Sequence, residues 1–541
     1  MIGLAKFVPP IAKFMLSLSY CRSLRIHYYL SATPPVDTLR TDGDWAEPSH
    51  ATFSRHDAGG DSIKRVSCKV RAKKIRLLFG HWLVVIGIRT ANRKPQSMIS
   101  SKLRTLVIAA WLGLSWLQAE NWSNWRGPEY NGSSPERNLP EKWSKEENIR
   151  WATDMPGPSA ATPAIYNDRV FVSALHARTK DLLALGLDRK TGKILWQEIV
   201  GSGFGGDEKS SKSSPSPIAD EQRVYFYFGS GDLAAFDHGG KLLWSRNIQY
   251  DYGDFAFYWT YSSSPLLYGG NLYLQVMQRD VRPRGGDGKE IPSFLLALDP
   301  ASGKTKWIHV RPSLARAESR EAFSTPIPFE HQGRKEILLV GGDCITGHDP
   351  QSGVELWRWG TWNPKRVTHW RLVPSPAPGG GVVLACAPKK GSVYAIKLGG
   401  EGKLVDDWIA WESSPREVTS DVCTPLYYQG RFYILDGDGK TISCVKPKTG
   451  EVVWTGKLDS GSIFRASPTA GDGKIYCFNH EAQVFVLAAG AEFKVLSQID
   501  MGDGDRRTRA SVAISHGDLF IRTQGKLFCV SGRDRLAALD R

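Results

Sequence analysis

Beyond residue 160 the chain is a succession of short apolar runs broken by clusters of Gly, Asn, Asp and Ser, with no sustained helical period. The first of them read as four strands, Ala164–Tyr166, Arg169–Ala174, Leu182–Leu187 and Ile194–Ile199. Turns such as "YNDR", "YGGN" and "YQGR" suit tight hairpins, because Gly, Asn and Asp accept positive φ cheaply. A short helix is expected only within "SLARAESREAF", Ser313 to Phe323.

Two phrases recur along this pattern. One places a Ser or Thr near a Pro that opens a short strand, at Pro163, Pro217, Pro265, Pro326, Pro376, Pro425 and Pro468, with Val512 in the eighth position. Successive copies lie 43 to 61 residues apart, the period of a propeller blade. The other runs from an Asp or Lys through a Gly to a Trp, as in "DRKTGKILW", ending at Trp196, Trp244, Trp307, Trp357 and Trp454. Its acid accepts turn N–H groups, its Gly closes the turn, and its Trp leaves on the last strand to seal the seam against the next blade. The segment "NIRWATDMPG" around Trp151 resembles such a last strand, yet no blade precedes it, and the final unit lacks its own. The prediction is an all-β, eight-bladed β-propeller with four-stranded blades over 148–535, its last blade closed by the strand near Trp151, and a tail at 536–541.

In "LLALGLDRKTGKILW" and "SFLLALDPASGKTKW" the phrase resembles the pyrroloquinoline quinone (PQQ)-like β-propeller family, which includes the barrel-assembly scaffold lipoprotein and the quinoprotein dehydrogenases. The resemblance covers roughly residues 121 to 535 and implies the fold more strongly than any one activity. The preceding segment, 120–147, looks like the lead-in of exported members, with Trp122, Trp125 and Arg126 either capping one end of the ring or clasping blade edges.

Charge and targeting signals narrow the setting. The formal charge is +15, but 52 of the 70 Lys and Arg and 49 of the 55 Asp and Glu fall within 120–541, leaving that region near neutral and giving no argument for nucleic acid. Residues 98–119 read as a secretory signal peptide: Lys102 and Arg104, an apolar stretch from Leu106 to Trp116, and a cleavage boundary near Ala119. Met98 is therefore read as the true start and residues 1–97 as a misassigned or disordered extension. Its one apolar run, Leu77 to Ile88, is too short to span a bilayer. Export to the periplasm or beyond follows, without a lipid-accepting Cys and without a transmembrane span in the mature chain. Cys344, Cys386, Cys423, Cys444, Cys477 and Cys529 stand singly and are expected to be buried thiols, with one disulfide left open.

Propeller ligands meet the loops that precede each first strand, so the residues three to five positions before each Pro are expected at a central funnel. These are Lys212, Tyr261, Glu321, Arg371, Asp421, Arg465, Arg507 and Arg509, with Trp259 and Trp370 beside them. Several Arg with Trp and Tyr suit an anionic ligand, a glycan or a peptide carboxylate. A quinoprotein dehydrogenase needs Ca²⁺ ligands and an Asp base, and the family's alcohol dehydrogenases commonly add a pair of adjacent Cys. No segment aligns with the metal or base motifs, and no adjacent Cys pair occurs. "GSGFGG" lacks the Lys and Ser/Thr of a phosphate loop, while "DGDGK" and "GDGDR" read as hairpin turns. No catalytic or metal residue is assigned. The expected role is a monomeric, non-catalytic binding or scaffold module for an envelope or extracellular protein, peptide or glycan, with no cofactor. The alternative is a PQQ-dependent dehydrogenase using PQQ with Ca²⁺.

Overall fold

The computed structural model describes residues 121–204, 207, 209–283, 289–502 and 507–532, together with two upstream strands, Lys73–Phe79 and Trp82–Ile88. Those two strands pair antiparallel as a hairpin of their own. The signal segment 98–119, the rest of 1–97 and the tail 536–541 lie outside the described residues.

Residues 149–531 form eight four-stranded antiparallel blades, the fourth carrying a short fifth strand. Each of the first seven blades runs in sequence from the axis outward, as in blade 1: Ala164–Tyr166, Arg169–Leu175, Asp181–Asp188 and Ile194–Ser202. First strands of neighbouring blades lie against one another at six of the eight junctions, including that of blades 8 and 1, where the ring closes. In blade 8, Ile149–Asp154 supplies the outer strand beside Lys526–Ser531, with Trp151 opposite Cys529. That pairing joins the two ends of the chain and leaves no open blade.

Blades pack face to face, so their middle strands are buried on both sides, as Leu182–Leu187 is, while outer strands such as Ile194–Ser202 alternate towards solvent. The seam explains the Trp phrase. Trp151 Nε1 donates to the Arg189 carbonyl at 2.8 Å, Trp196 to His238 at 3.1 Å, Trp244 to Pro300 at 3.0 Å and Trp454 to Gly490 at 3.0 Å, in each case a turn of the next blade. The turn glycine is the other half of the lock. A Cβ on Gly192 would meet the Trp151 ring at 2.5 Å, and one on Gly303 would meet Trp244 at 2.5 Å. Apart from the phrase that ends at Trp357, each both receives the preceding blade's indole and sends its own forward.

Irregularities fall around blades 3 to 5. Trp307 packs on Gly353, but its buried Nε1 has no partner, because the neighbouring Pro350 carbonyl already accepts from Asn271 and Tyr273. Trp357 donates within its own blade to Glu336 Oε2 at 2.6 Å, and Trp359 faces blade 5 instead, its ring 4.8 Å from Tyr394. There Gly402–Lys403 adds a parallel strand to blade 4 before the chain returns through Trp411, which donates to Pro447. The helix expected within 313–323 is a single 3₁₀ turn, Ala317–Arg320, and a five-residue α-helix, Ile248–Tyr252, sits in the loop after blade 2. No described helix is long and apolar enough to cross a membrane. All six described cysteines are buried and unpaired.

Candidate functional site: a blind pocket on the propeller axis

The residue before a Pro is pushed into extended backbone, so the Ser or Thr there cannot bond within a local turn. Its N–H instead reaches the next blade. Thr162 donates to Ser216 Oγ (2.9 Å), Ser216 to Ser264 (2.9 Å), Ser264 to Thr325 (3.0 Å), Thr325 to Ser375 (2.8 Å), Ser375 to Thr424 (2.9 Å) and Thr424 to Ser467 (2.9 Å). Ser511, ahead of Val512, donates back to Thr162 at 3.1 Å. The result is a belt of hydroxyls around the axis.

The lead-in closes the belt on the side where first and second strands turn. Trp122 bridges to Ile165 in blade 1, Ser123 accepts from Ala219 in blade 2, and the Tyr130 hydroxyl donates to Leu267 in blade 3. Arg126, buried, donates to the Pro425 and Pro468 carbonyls of blades 6 and 7, and burial lowers its pKa to about 9. Glu136 accepts from His516 N in blade 8. The indole of Trp125 reaches the axis from this segment and floors the pocket, with the Arg126 guanidinium 5.5 Å from its ring centre.

Above that floor is a cavity of about 200 Å³. Five belt acceptors, Ser216, Ser264, Thr325, Thr424 and Ser467, line it. Higher on the wall stand Trp259, Phe323, Lys209, Arg371, Arg465 and Arg509, with Asp421 the one carboxylate among the described lining residues. The Lys209 ammonium and the Arg371 guanidinium lie 5.2 and 5.8 Å from the Trp259 ring centre. Three acids hold the loop that carries this Trp: Glu321 accepts from Tyr258 N (3.0 Å), Glu318 from Trp259 Nε1 (3.0 Å) and Asp207 from Thr260 N (2.5 Å).

Positive charge gathers at blades 7 and 8. Arg465 pairs with Asp438 at 2.6 Å. Burial first, then Arg465 and Arg507, lower the Arg509 pKa to about 10. The same three arginines add to burial in lowering His480 to about 3, and its buried Nε2 has no hydrogen-bond partner among the described residues. Asp421 Oδ1 accepts from Lys389 N, and no described residues form a group of three or more His, Cys, Asp or Glu placed to hold a metal.

Of the ten residues expected at the funnel, Trp259, Arg371, Asp421, Arg465 and Arg509 line the pocket. The other five do not. Tyr261 is buried in the core, its hydroxyl donating to Gln275 O. Glu321 sits behind the wall beside Arg279, and burial raises its carboxyl to about 7. Lys212 Nζ turns to the Phe204 carbonyl, Trp370 N donates to Ser319, and Arg507 acts on Arg509 from outside the lining. Trp125, Lys209, Phe323 and the hydroxyls were not foreseen as lining residues.

A family model described as outer membrane protein assembly factor BamB matches residues 143–275 and 406–507. Comparison with curated protein sequences returns no match. A europium-containing methanol dehydrogenase superposes with a TM-score of 0.54 at 11% identity, over 75% of this chain and 90% of that one. The quinohemoprotein alcohol dehydrogenase of Comamonas testosteroni does so at 0.53 and 12%, over 76% and 81%. BamB from Moraxella catarrhalis gives 0.48 and 14%, over 71% and 97%. At such identities the two dehydrogenase superpositions speak to the fold alone. The eight closed blades, the repeated seam and the family match support the resemblance to the PQQ-like β-propeller family.

Proposed function

We propose that the protein is an exported, monomeric, non-catalytic binding module of the bacterial envelope. Its axial pocket captures an anionic group carried by an envelope or extracellular protein, peptide or glycan. The observation that carries this reading is the charge of the described lining: Lys209, Arg371, Arg465 and Arg509 against the one carboxylate of Asp421, with Arg371 paired to Glu318 and Arg465 to Asp438 behind the wall, around the aromatic surfaces of Trp125, Trp259 and Phe323. An envelope setting is supported by the outer-membrane description of the matching family model and by the signal peptide read at 98–119.

The alternative is a PQQ-dependent dehydrogenase with a divergent site. A quinone paired with a Ca²⁺ ion needs several acidic or amide oxygens converging beside it. Among the described lining residues one carboxylate, already accepting from a backbone N–H, does not make that donor set, so these residues do not fit the metal.

The test is calorimetric titration of the full chain with PQQ, with and without Ca²⁺, and with small organic anions. Saturable anion binding that disappears in Arg465→Glu/Arg509→Glu is expected. Ca²⁺-dependent PQQ binding near one site per chain overturns the non-catalytic reading in favour of the dehydrogenase.

A further inference from the structure

The shape and donor pattern of the axial pocket narrow the anion it takes. Each of Ser216, Ser264, Thr325, Thr424 and Ser467 spends a lone pair on the N–H of the preceding blade, and among the described residues none passes its own proton to a protein acceptor. A hydroxyl has one proton to donate. The belt is therefore a ring of O–H donors around the axis, and a ligand must offer acceptor oxygens around its perimeter rather than at one end. Each belt oxygen keeps a second lone pair, so it can also accept from a ligand hydroxyl, and Asp421 is the one carboxylate among the described lining residues.

Size and faces add two constraints. A dry cavity of about 150 Å³ holds one benzene ring, so the 200 Å³ here takes a single six-membered ring with a small charged substituent. Trp125 below and Trp259 at the wall offer flat apolar surfaces for a ring, while Arg465, held by Asp438 and the Phe464 carbonyl, and Arg509 line the pocket from blades 7 and 8. The opposite end opens between the loops that precede the first strands, where the exposed Lys209 stands, so a chain attached to the ring has a way out.

We infer that the axial pocket binds the terminal acidic sugar of a glycan, a single pyranose ring bearing a carboxylate or sulfate, with its hydroxyl oxygens on the Ser/Thr belt and its charge between Arg465 and Arg509. This deepens the anion-binding reading above and rests on it.

The test titrates the full chain at fixed ionic strength with glucuronate, glucose 6-sulfate, glucose, benzoate and a short oligogalacturonate. Glucuronate or glucose 6-sulfate is expected to bind saturably, with glucose and benzoate each at least tenfold weaker. Tighter binding of the oligogalacturonate marks a glycan end as the source, whereas equal affinity marks a free acidic sugar. Arg465→Glu/Arg509→Glu is expected to lose at least tenfold for the acidic sugars. Lys209→Glu, at an exposed position that cannot unfold the ring, is expected to lose several-fold. Benzoate binding as tightly as glucuronate overturns the sugar assignment and leaves the anion pocket standing. Silence from every probe, with the chain folded, overturns both.

Discussion

Removing the belt's acceptors tests whether the Ser/Thr–Pro phrase holds the ring together. In Ser264→Ala/Ser375→Ala/Ser467→Ala, the N–H groups of Ser216, Thr325 and Thr424 lose their acceptors at 2.9, 2.8 and 2.9 Å. All six residues are buried, so only a water entering the axial pocket can stand in for a lost acceptor. Each unpaired buried N–H costs about 1–3 kcal/mol, and the three sites share no acceptor, so their effects should add to about 3–9 kcal/mol. Unfolding entropy of about 2.1 cal/mol/K per residue over roughly 400 residues is about 0.8 kcal/mol/K, which converts that loss into a Tm lower by about 4–11 °C. Differential scanning calorimetry of the full chain reads the shift. The matched triple Thr variant keeps every oxygen, as Thr162, Thr325 and Thr424 already do, and should melt within about 2 °C of wild type. A triple Ala protein melting with wild type, or a triple Thr protein falling as far as triple Ala, would refute the belt as a stabilising device.

Three further outcomes are expected. Gly303→Ala, whose Cβ would meet Trp244 at 2.5 Å at φ +68°, should destabilise by about 2–3 kcal/mol in urea unfolding; Gly333→Ala, at φ +82° with nothing within 4 Å, should cost only the backbone strain, about 1 kcal/mol. Equal losses would remove the seam from the explanation. Deleting residues 120–158 takes away both the lead-in and the closing strand Ile149–Asp154, and should abolish the cooperative transition seen by circular dichroism; a variant melting like wild type would count against ring closure. Burial raises Glu321 from 4.5 to about 7 against the opposing pull of Arg279. Its folded form thus binds more protons than the unfolded one between those values, and its contribution, up to about 3 kcal/mol, is present below pH 4.5 and lost as pH rises through 7. Glu321→Gln should therefore gain stability relative to wild type from pH 5 to pH 8 in urea midpoints, and a constant difference would argue against a neutral buried carboxyl.

Most of the architecture could be read from the chain because a propeller repeats its own constraints. Proline-led strands fixed the number of blades, and the first blade's strands fall within a few residues of the segments read for them, Arg169–Leu175 against Arg169–Ala174 for example. Trp151 was assignable to the closing strand because it carries the motif of an outer strand with no blade before it. Where the repeat is broken, reading failed. The seam indole of blade 5, Trp411, ends no glycine phrase, since the excursion through Gly402–Lys403 and the 3₁₀ turn Asp406–Trp408 intervenes. Fixed offsets before each Pro also take no account of loop path. Tyr261 sits at such an offset, yet Tyr227, Phe255 and Phe257 draw its ring into the core. Trp125 reaches the same axis from a segment that precedes every blade.

The belt shows why one set of residues can serve both fold and site. A Ser or Thr before Pro is held extended by the ring of that Pro, and in a blade's first strand its N–H points to the neighbour. Its hydroxyl must accept the N–H arriving from the other side, because a buried donor cannot be left unpaired. Repeating that bond at seven of the eight blade junctions leaves the hydroxyl protons as the groups still to be satisfied, so a donor-lined axis accompanies the closing of the ring. The belt nearly repeats from blade to blade and so sets no direction across the pocket. Direction has to come from positions where the repeat is broken: Trp125 from the lead-in, Lys209 and Trp259 from the long loops before blades 2 and 3, and Arg465 and Arg509 from the last two blades. Specificity is therefore expected to follow these positions, whereas belt substitutions should lower stability and affinity together.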